Sequence, residues 1–254
     1  MLKKVSGAKS VFVKINNLGR NFLPLVEDLR DRMIKYVDFV PVSSIPYSTA
    51  TAYTGGGFLS LADVNGNFYP YYGIPMDRFD ITQNLGRRPP VMRKISLPNS
   101  YIEVTDPSDV GKVVCLVFFY DLPQYSARNT VTDAIIDSAE VTINLSQARN
   151  VFPDLRTMAG KRFRHISFSA PTKTFSGQTG ITLSEAGNVF ISFVKGNYAV
   201  IDMLPLIEFY DIPQIEDLNF SNIVFDFTNS FVTVGGTQNL DGKTVMVNLS
   251  YESK

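Results

Sequence analysis

The chain holds one histidine, His165, and one cysteine, Cys115, and most catalytic or metal chemistry would have to begin from them. A Ser–His–Asp or Cys–His arrangement needs an imidazole to take the nucleophile's proton, so His165 would be obligatory. A cupin-type metal site needs several imidazole nitrogens, and one is too few. His165 aligns with Tyr36 in an internal repeat described below, and an aromatic ring at both places fits packing or a surface stack better than catalysis. Cys115 lies in the apolar run Val113–Tyr120, where a thiol is expected to be buried and inert. No metal and no cofactor is expected.

Other candidate motifs fail on spacing. Gly242-Lys243-Thr244 has the end of a phosphate-binding loop, but Thr237 stands where the earlier glycine is required. Gly55-Gly56-Gly57 closes a Ser/Thr-rich loop and is no dinucleotide fingerprint. The acid pairs Glu27/Asp28, Asp106/Asp109 and Glu216/Asp217 fall in helix starts or polar loops. Nothing joins them into the two-carboxylate machinery of a glycosidase, and Asp106/Asp109 lack the ligand ladder of a calcium site. The chain therefore reads as a non-enzyme.

Charge narrows the partners. Basic and acidic residues balance at 24 each, so the basic excess of a nucleic-acid binder is missing. The clusters Arg87-Arg88, Arg93-Lys94 and Lys161-Arg162-x-Arg164 read as protein contacts or solvated faces. The first 26 residues hold five basic side chains and no acid. Lys3, Lys4 and Lys9 make the segment 1–11 an N-terminal arm, and a candidate for contact with an anionic membrane or a shell interior; the alternative is a solubilising tail. Each basic residue near such a membrane would contribute about 1 kcal/mol. No apolar stretch follows Met1-Leu2-Lys3-Lys4, so no secretory signal is expected. The longest apolar run, Val113–Tyr120, is of strand length rather than membrane-spanning length.

The elements that must position these residues are written twice. Val13-Lys14-Ile15-Asn16 returns as Val141-Thr142-Ile143-Asn144, and Arg20-Asn21-x-x-Pro24 as Arg149-Asn150-x-x-Pro153. Gly66-Asn67-Phe68 returns as Gly196-Asn197-Tyr198, and Pro75 as Pro205. Asn99-Ser100-Tyr101-Ile102-x-Val104 returns as Asn229-Ser230-Phe231-Val232-x-Val234, and Gly111-Lys112-x-Val114 as Gly242-Lys243-x-Val245. The offset drifts from 128 to 131, as loop insertions would produce. The period is too long for a solenoid, so this is a duplicated domain.

Nineteen Phe, twelve Tyr and many Gly, Pro and Asn point to strands and turns. Each half shows seven or eight short strands, among them Val11–Asn17 and Glu140–Leu145, and the hairpins around Asn65-Gly66 and Lys195-Gly196. Strands are expected also at Met76–Ile81 and Leu206–Ile212, and separately at Val91–Leu97 and Tyr101–Thr105. Leu25, Leu29 and Met33 predict a short helix in the first half, and Pro153 and Gly160 one in the second. The fold class expected is all-β: two tandem eight-stranded antiparallel jelly rolls with short helices in loops. The divisions are an arm at 1–11, a first unit at 12–121, a linker at 122–139 and a second unit at 140–254.

One strand departs from its twin. Val245, Val247 and Leu249 alternate with Met246, Asn248 and Ser250, giving one apolar and one largely polar face. In the first half Cys115, Val117 and Phe119 fill the second face, so it is apolar on both. These three residues are candidates for a contact with the second half or with another subunit; a local covering loop is the alternative.

On these repeat pairs, which span nearly the whole chain, the protein resembles the double jelly-roll major capsid proteins of tailless icosahedral viruses and phages, many of which enclose a membrane. The resemblance implies a homotrimer whose six jelly rolls make a pseudo-hexagonal tile, a higher-order shell lattice, and location in the virion after synthesis in the host cytoplasm. It also implies an internal lipid membrane and a vertex protein as further partners. Two other functions fit the same pattern. One is a tandem β-sandwich module for carbohydrate or host attachment, using aromatics such as Tyr47, Tyr53, Tyr71, Tyr72 and Phe175. The other is a minor capsid or vertex protein.

Overall fold

A computed structural model describes residues 3–5, 7–41, 45–46, 53, 56–66, 68–80, 90–121, 136–146, 149–153, 161–168, 179–196, 198–209, 218–224, 226–236 and 238–252. The protein is predominantly β. The first half carries β1 (Lys3–Val5), β2 (Gly7–Lys14), β3 (Gly19–Phe22), β4 (Met33–Val40), β5 (Phe58–Asp63), β6 (Tyr71–Pro75), β7 (Pro90–Val104) and β8 (Val113–Asp121). The second carries β9 (Ile136–Asn144), β10 (Asn150–Val151), β11 (Arg162–Phe168), β12 (Thr179–Gly180), β13 (Val189–Lys195), β14 (Tyr198–Pro205), β15 (Leu218–Val224), β16 (Asp226–Val234) and β17 (Lys243–Glu252).

In the first half the neighbours run β2-β8-β4-β7 and, through the far end of β7, β3-β7-β5-β6. In the second they run β9-β17-β11-β15 and β10-β16-β13-β14. Strand β7 is one continuous strand where two were expected. Its start pairs with β4, up to Met33↔Lys94, and its end pairs with β3 and β5, at Phe22↔Tyr101 and Ser60↔Tyr101. Ser100 manages the change of partner. Fully buried, its hydroxyl donates to the Ser96 carbonyl at 2.7 Å and accepts from the Ala62 amide at 3.0 Å. Ser230 does the same for β16, donating to the Asp226 carbonyl at 2.7 Å and accepting from the Val194 amide at 3.0 Å.

Three more polar devices recur. Strand β5 bulges against β6 beside Ser60, whose hydroxyl accepts from the Gly73 amide at 2.9 Å. Ser192 accepts from the Met203 amide at the matching bulge, also at 2.9 Å. Gly73 and Met203 both take left-handed backbone, φ 58° and 52°, as an inserted residue in a bulge demands. The buried Asn21 side chain accepts from the amides of Asn16 and Asn17 and donates to the Asn17 carbonyl, closing the turn between β2 and β3. Asn150 accepts from the Ser146 amide at 2.7 Å and donates to the Ser146 and Val232 carbonyls. Gly111 and Gly242, φ 92° and 77°, open β8 and β17, and their amides donate to the carbonyls of Ile15 and Leu145.

The last pair corrects the repeat register. Ile15 occupies the place of Leu145, whereas the sequence match set it against Ile143. A shift of two keeps every strand side chain on the same face, so the hydrophobic pattern cannot separate the two registers.

The remaining differences are local. Met76–Phe79 and Leu206–Phe209 form 3-10 turns where strands were expected. Met76 and Phe79, like Leu206 and Phe209, are buried three residues apart, the period of a 3-10 turn rather than of a strand. The first expected helix is a single 3-10 turn, Glu27–Leu29, because Asp31 turns left-handed at φ 59° and Met33 already opens β4. Its counterpart near Gly160 lies outside the described residues. Among the described residues the one α-helical turn, Leu183–Ala186, starts from a capping box in which Thr182 and Glu185 satisfy each other's amides. Expected linker residues 136–139 belong to β9; residues 122–135 lie outside the described set.

The segment read as an arm is built into both halves. Lys3–Val5 runs parallel to Leu218–Phe220 of β15, and β2 begins at Gly7. Strand β2 also runs parallel to β14, with Ala8 opposite Ile201 and Lys9 opposite Asp202. One core lies between the first half's strands, around Val13, Val37, Leu61, Ile102 and Phe118. A second core is shared by both halves. Replacing Asn21 or Asn150 by Ala removes the several hydrogen bonds that a buried side chain makes to its turn, so each change is expected to lower stability by about 1–3 kcal/mol in urea denaturation. A loss from only one of the two would show that the two turns are not held alike.

Candidate assembly surfaces

Among the described residues no three His, Cys, Asp or Glu side chains gather as metal ligands. The acid pairs of the sequence have local employment. Asp106 caps the turn Pro107–Asp109 by accepting from the Ser108 amide at 2.8 Å. Asp109 binds Lys112 at 2.7 Å, and Glu27 pairs with Arg30 at 3.6 Å. Glu216 and Asp217 lie outside the described residues. His165 stands in β11 opposite Ser250, at a register shift; its side chain is not among those described. A groove of about 360 Å³ beside the Glu27–Leu29 turn is lined mainly by Leu25, Val26, Leu29, Ile95, Leu97 and Pro98.

The second face of β8 meets the other half. Cys115, Val117 and Phe119, all buried, share one cluster with Ala8 and Val40 and with Phe190, Ile201, Leu204 and Leu206 of the second half. Ser10 donates to the Met203 carbonyl at 2.6 Å, and Phe12 meets Phe190 edge-on at 6.0 Å. Burial pushes the Cys115 thiol far up, against a smaller opposing hydrogen bond to Ser10. Three acids that sequence reasoning passed over are buried as well: Asp38, opposite Val117, at 0 % exposed, Asp80 at 1 % and Glu208 at 2 %.

The basic residues of the arm divide. Lys3 and Lys4 pair through their backbone with Leu218 and Asn219, and their side chains are not described. Lys9 sits between Asp28 of the first half at 2.6 Å and Asp202 of the second at 2.8 Å. Burial alone would lower its pKa; the two carboxylates outweigh that and raise it. Gly7 lets the strands approach. A Cβ there would lie 2.7 Å from the Tyr120 phenol and 2.8 Å from the Val200 carbonyl.

An aromatic surface covers the outside of β3, β7 and β6. Phe22 meets Tyr101 at 5.7 Å, Tyr101 meets Tyr69 at 5.8 Å, and Tyr69 meets Tyr72 at 5.8 Å, all edge-on. Arg20 stacks over Tyr101 at 4.6 Å. Tyr101 is buried beneath its neighbours and Tyr69 half-buried, while Phe22 and Tyr72 at the two ends are 57 % and 63 % exposed. In the second half Arg149 stacks over Phe231 at 3.9 Å, and Val151 takes the place of Phe22. Sequence reasoning found the Arg-Asn repeat and Tyr72 but not this ladder. The signal was there: each Arg-Asn pair precedes a residue of β3 or β10 that lies across from the repeated aromatic.

The chain matches no protein-family model, no curated protein and no solved structure.

Phe119→Ser is expected to cost about 3–5 kcal/mol by chemical denaturation, the range for emptying a buried aromatic site. Unchanged stability would show that this face is not packed. Alkaline pH supplies a second reading of the same region. Tyr120 is pushed up to about 12, chiefly by burial, from an ordinary 10. The unfolded chain therefore loses its protons first, and stability is full below pH 9 and falls as pH rises through 10 toward 12. Tyr120 accounts for about 3 kcal/mol of that fall, and Tyr120→Phe should remove this share while leaving that of Tyr53, which burial likewise pushes up to about 12.

Proposed function

We propose that the chain is a structural shell protein: two tandem jelly rolls, three copies of which form a pseudo-hexagonal tile of an icosahedral capsid. The observation that carries this reading is the pairing order shared by the halves. Leaving out the short β1 and β12 and counting the two parts of β7 separately, each half has one four-strand order made of its first, eighth, third and sixth strands, and a second made of its second, seventh, fourth and fifth. That order supports the jelly-roll reading, since an eight-stranded roll with two Greek keys would be wired in this way. The paired serines, asparagines and glycines support descent of both halves from one domain.

Shape and surface support the shell role over catalysis. The Cys115 thiol is buried in the core shared by the two halves, and exposed aromatic rings lie on a sheet face. Duplication lets a three-fold ring of chains imitate a six-fold tile, which suits closed assembly. The virion is the location this reading assigns, with a second copy of the chain as the first partner and a vertex protein and a lipid layer as further ones. The Phe22–Tyr72 aromatic ladder favours a second reading, a tandem module that binds carbohydrate or a host surface.

Light scattering with electron microscopy separates the two. The shell reading expects particles of about 85 kDa, three chains of 28.3 kDa, that tile into hexagonal sheets or closed shells. A monomer that binds glycans and never assembles would overturn it in favour of the binding module.

A further inference from the structure

Two strand edges are left over by the junction between the halves. Among the described residues β6 pairs only with β5, and β9 only with β17. Their counterparts in the opposite halves are β14 and β2, and those two edges are joined in parallel inside the chain. The correspondence is fixed by the bulge pair Gly73/Met203 for β6 and β14, and by Ile15/Leu145 for β2 and β9. The chain therefore holds one completed junction and the two halves of a second.

We propose that β6 of one copy takes β9 of a second copy as its parallel neighbour, repeating between chains the β14–β2 junction. The proposal rests on the shell reading and names the contact that would build its tile. Inside the chain Ile201 and Asp202 stand opposite Ala8 and Lys9. The equivalent positions put Tyr71 and Tyr72 opposite Ser138 and Ala139. Large rings thus face small side chains, and Tyr72 is 63 % exposed within a single copy. Charge favours the same pairing. Before residue 128 there are 14 basic and 11 acidic residues, net +3; from there on there are 10 and 13, net −3. A first half against a second half brings opposite charges together, whereas a contact of like halves does not. Such a contact is head-to-tail, so it closes into a ring when the rotation allows.

Cross-linking tests it, because Cys115 is buried and the other thiols can be placed at will. The single variants Tyr72→Cys and Ala139→Cys are purified, mixed, reassembled and mildly oxidised. The expected result is a covalent dimer in the mixture and none from either variant alone; neighbouring strands bring Cα atoms within disulfide range. Oligomers of wild-type mass without the mixed dimer would overturn this contact and leave the shell reading standing. Disulfide dimers of Tyr72→Cys alone would overturn it in favour of a like-with-like contact. A chain that stays monomeric overturns both. As a second variant, Ser138→Lys places a charge on the same edge at an exposed position. It is expected to lose the oligomer while keeping the monomer's thermal unfolding, and intact assembly would count against the proposal.

Discussion

A strand in an antiparallel sandwich ordinarily shows one face to water; β8 shows none. Val114, Leu116 and Phe118 lie in the first half's core, and Cys115, Val117 and Phe119 in the core shared with the second half. Burying a side chain such as Val, Leu or Phe contributes about 1.5–3 kcal/mol. The second face of β8 therefore supplies a stabilisation comparable with a small domain's whole margin. The two halves cannot be independent beads on a linker. The first half needs the second as a lid, and its central strand carries the sequence that says so.

The junction beside that lid shows how apolar burial and polar contacts divide the work. Lys9 holds one carboxylate from each half, but at 19 % exposure such pairs contribute modestly. Their larger role is register: an ammonium between Asp28 and Asp202 allows one alignment of β2 against β14. Ser10 on the Met203 carbonyl fixes the same alignment from the opposite face of β2. Gly7 then sets the distance, since a Cβ would meet a phenol and a carbonyl. The carbonyl belongs to the backbone and cannot move aside without breaking the pairing. Burial makes the contact strong, and these three residues make it unique.

Fold class was legible because aromatic and β-branched runs between Gly, Pro and Asn have few other uses. The apolar second face of β8 was legible for the same reason as any strand face, by alternation. What alternation could not supply was register: the match of Ile15 to Ile143 rather than Leu145 preserves both faces. Nor could it distinguish a 3-10 turn at Met76–Phe79 from a short strand, because four residues sample too little of either period. The continuity of β7 depends on the buried Ser100 hydroxyl standing in for ladder bonds while the strand changes partners. A serine before a repeated aromatic advertises nothing of the kind until the partners are known. The aromatic ladder was hidden for a similar reason. Its members come from β3, β6, β7 and the turn before β6, and only the tertiary fold brings them together.

Divergence between the two halves follows what each edge touches. Where β14 is covered by β2, the strand carries Asp202 and the neighbour carries Lys9, a matched pair inside the chain. At the equivalent place β6 carries Tyr72, and β6 as a whole, Tyr71–Pro75, has no charged residue. Uncovered edges are hazards that proteins blunt with lysine, bulges or short length. Strand β6 is short and bulged but keeps an exposed ring at its second residue, Tyr72. An aromatic ring at that site, linked edge-on through Tyr69 and the buried Tyr101 to Phe22, is the kind of residue enriched in interface cores.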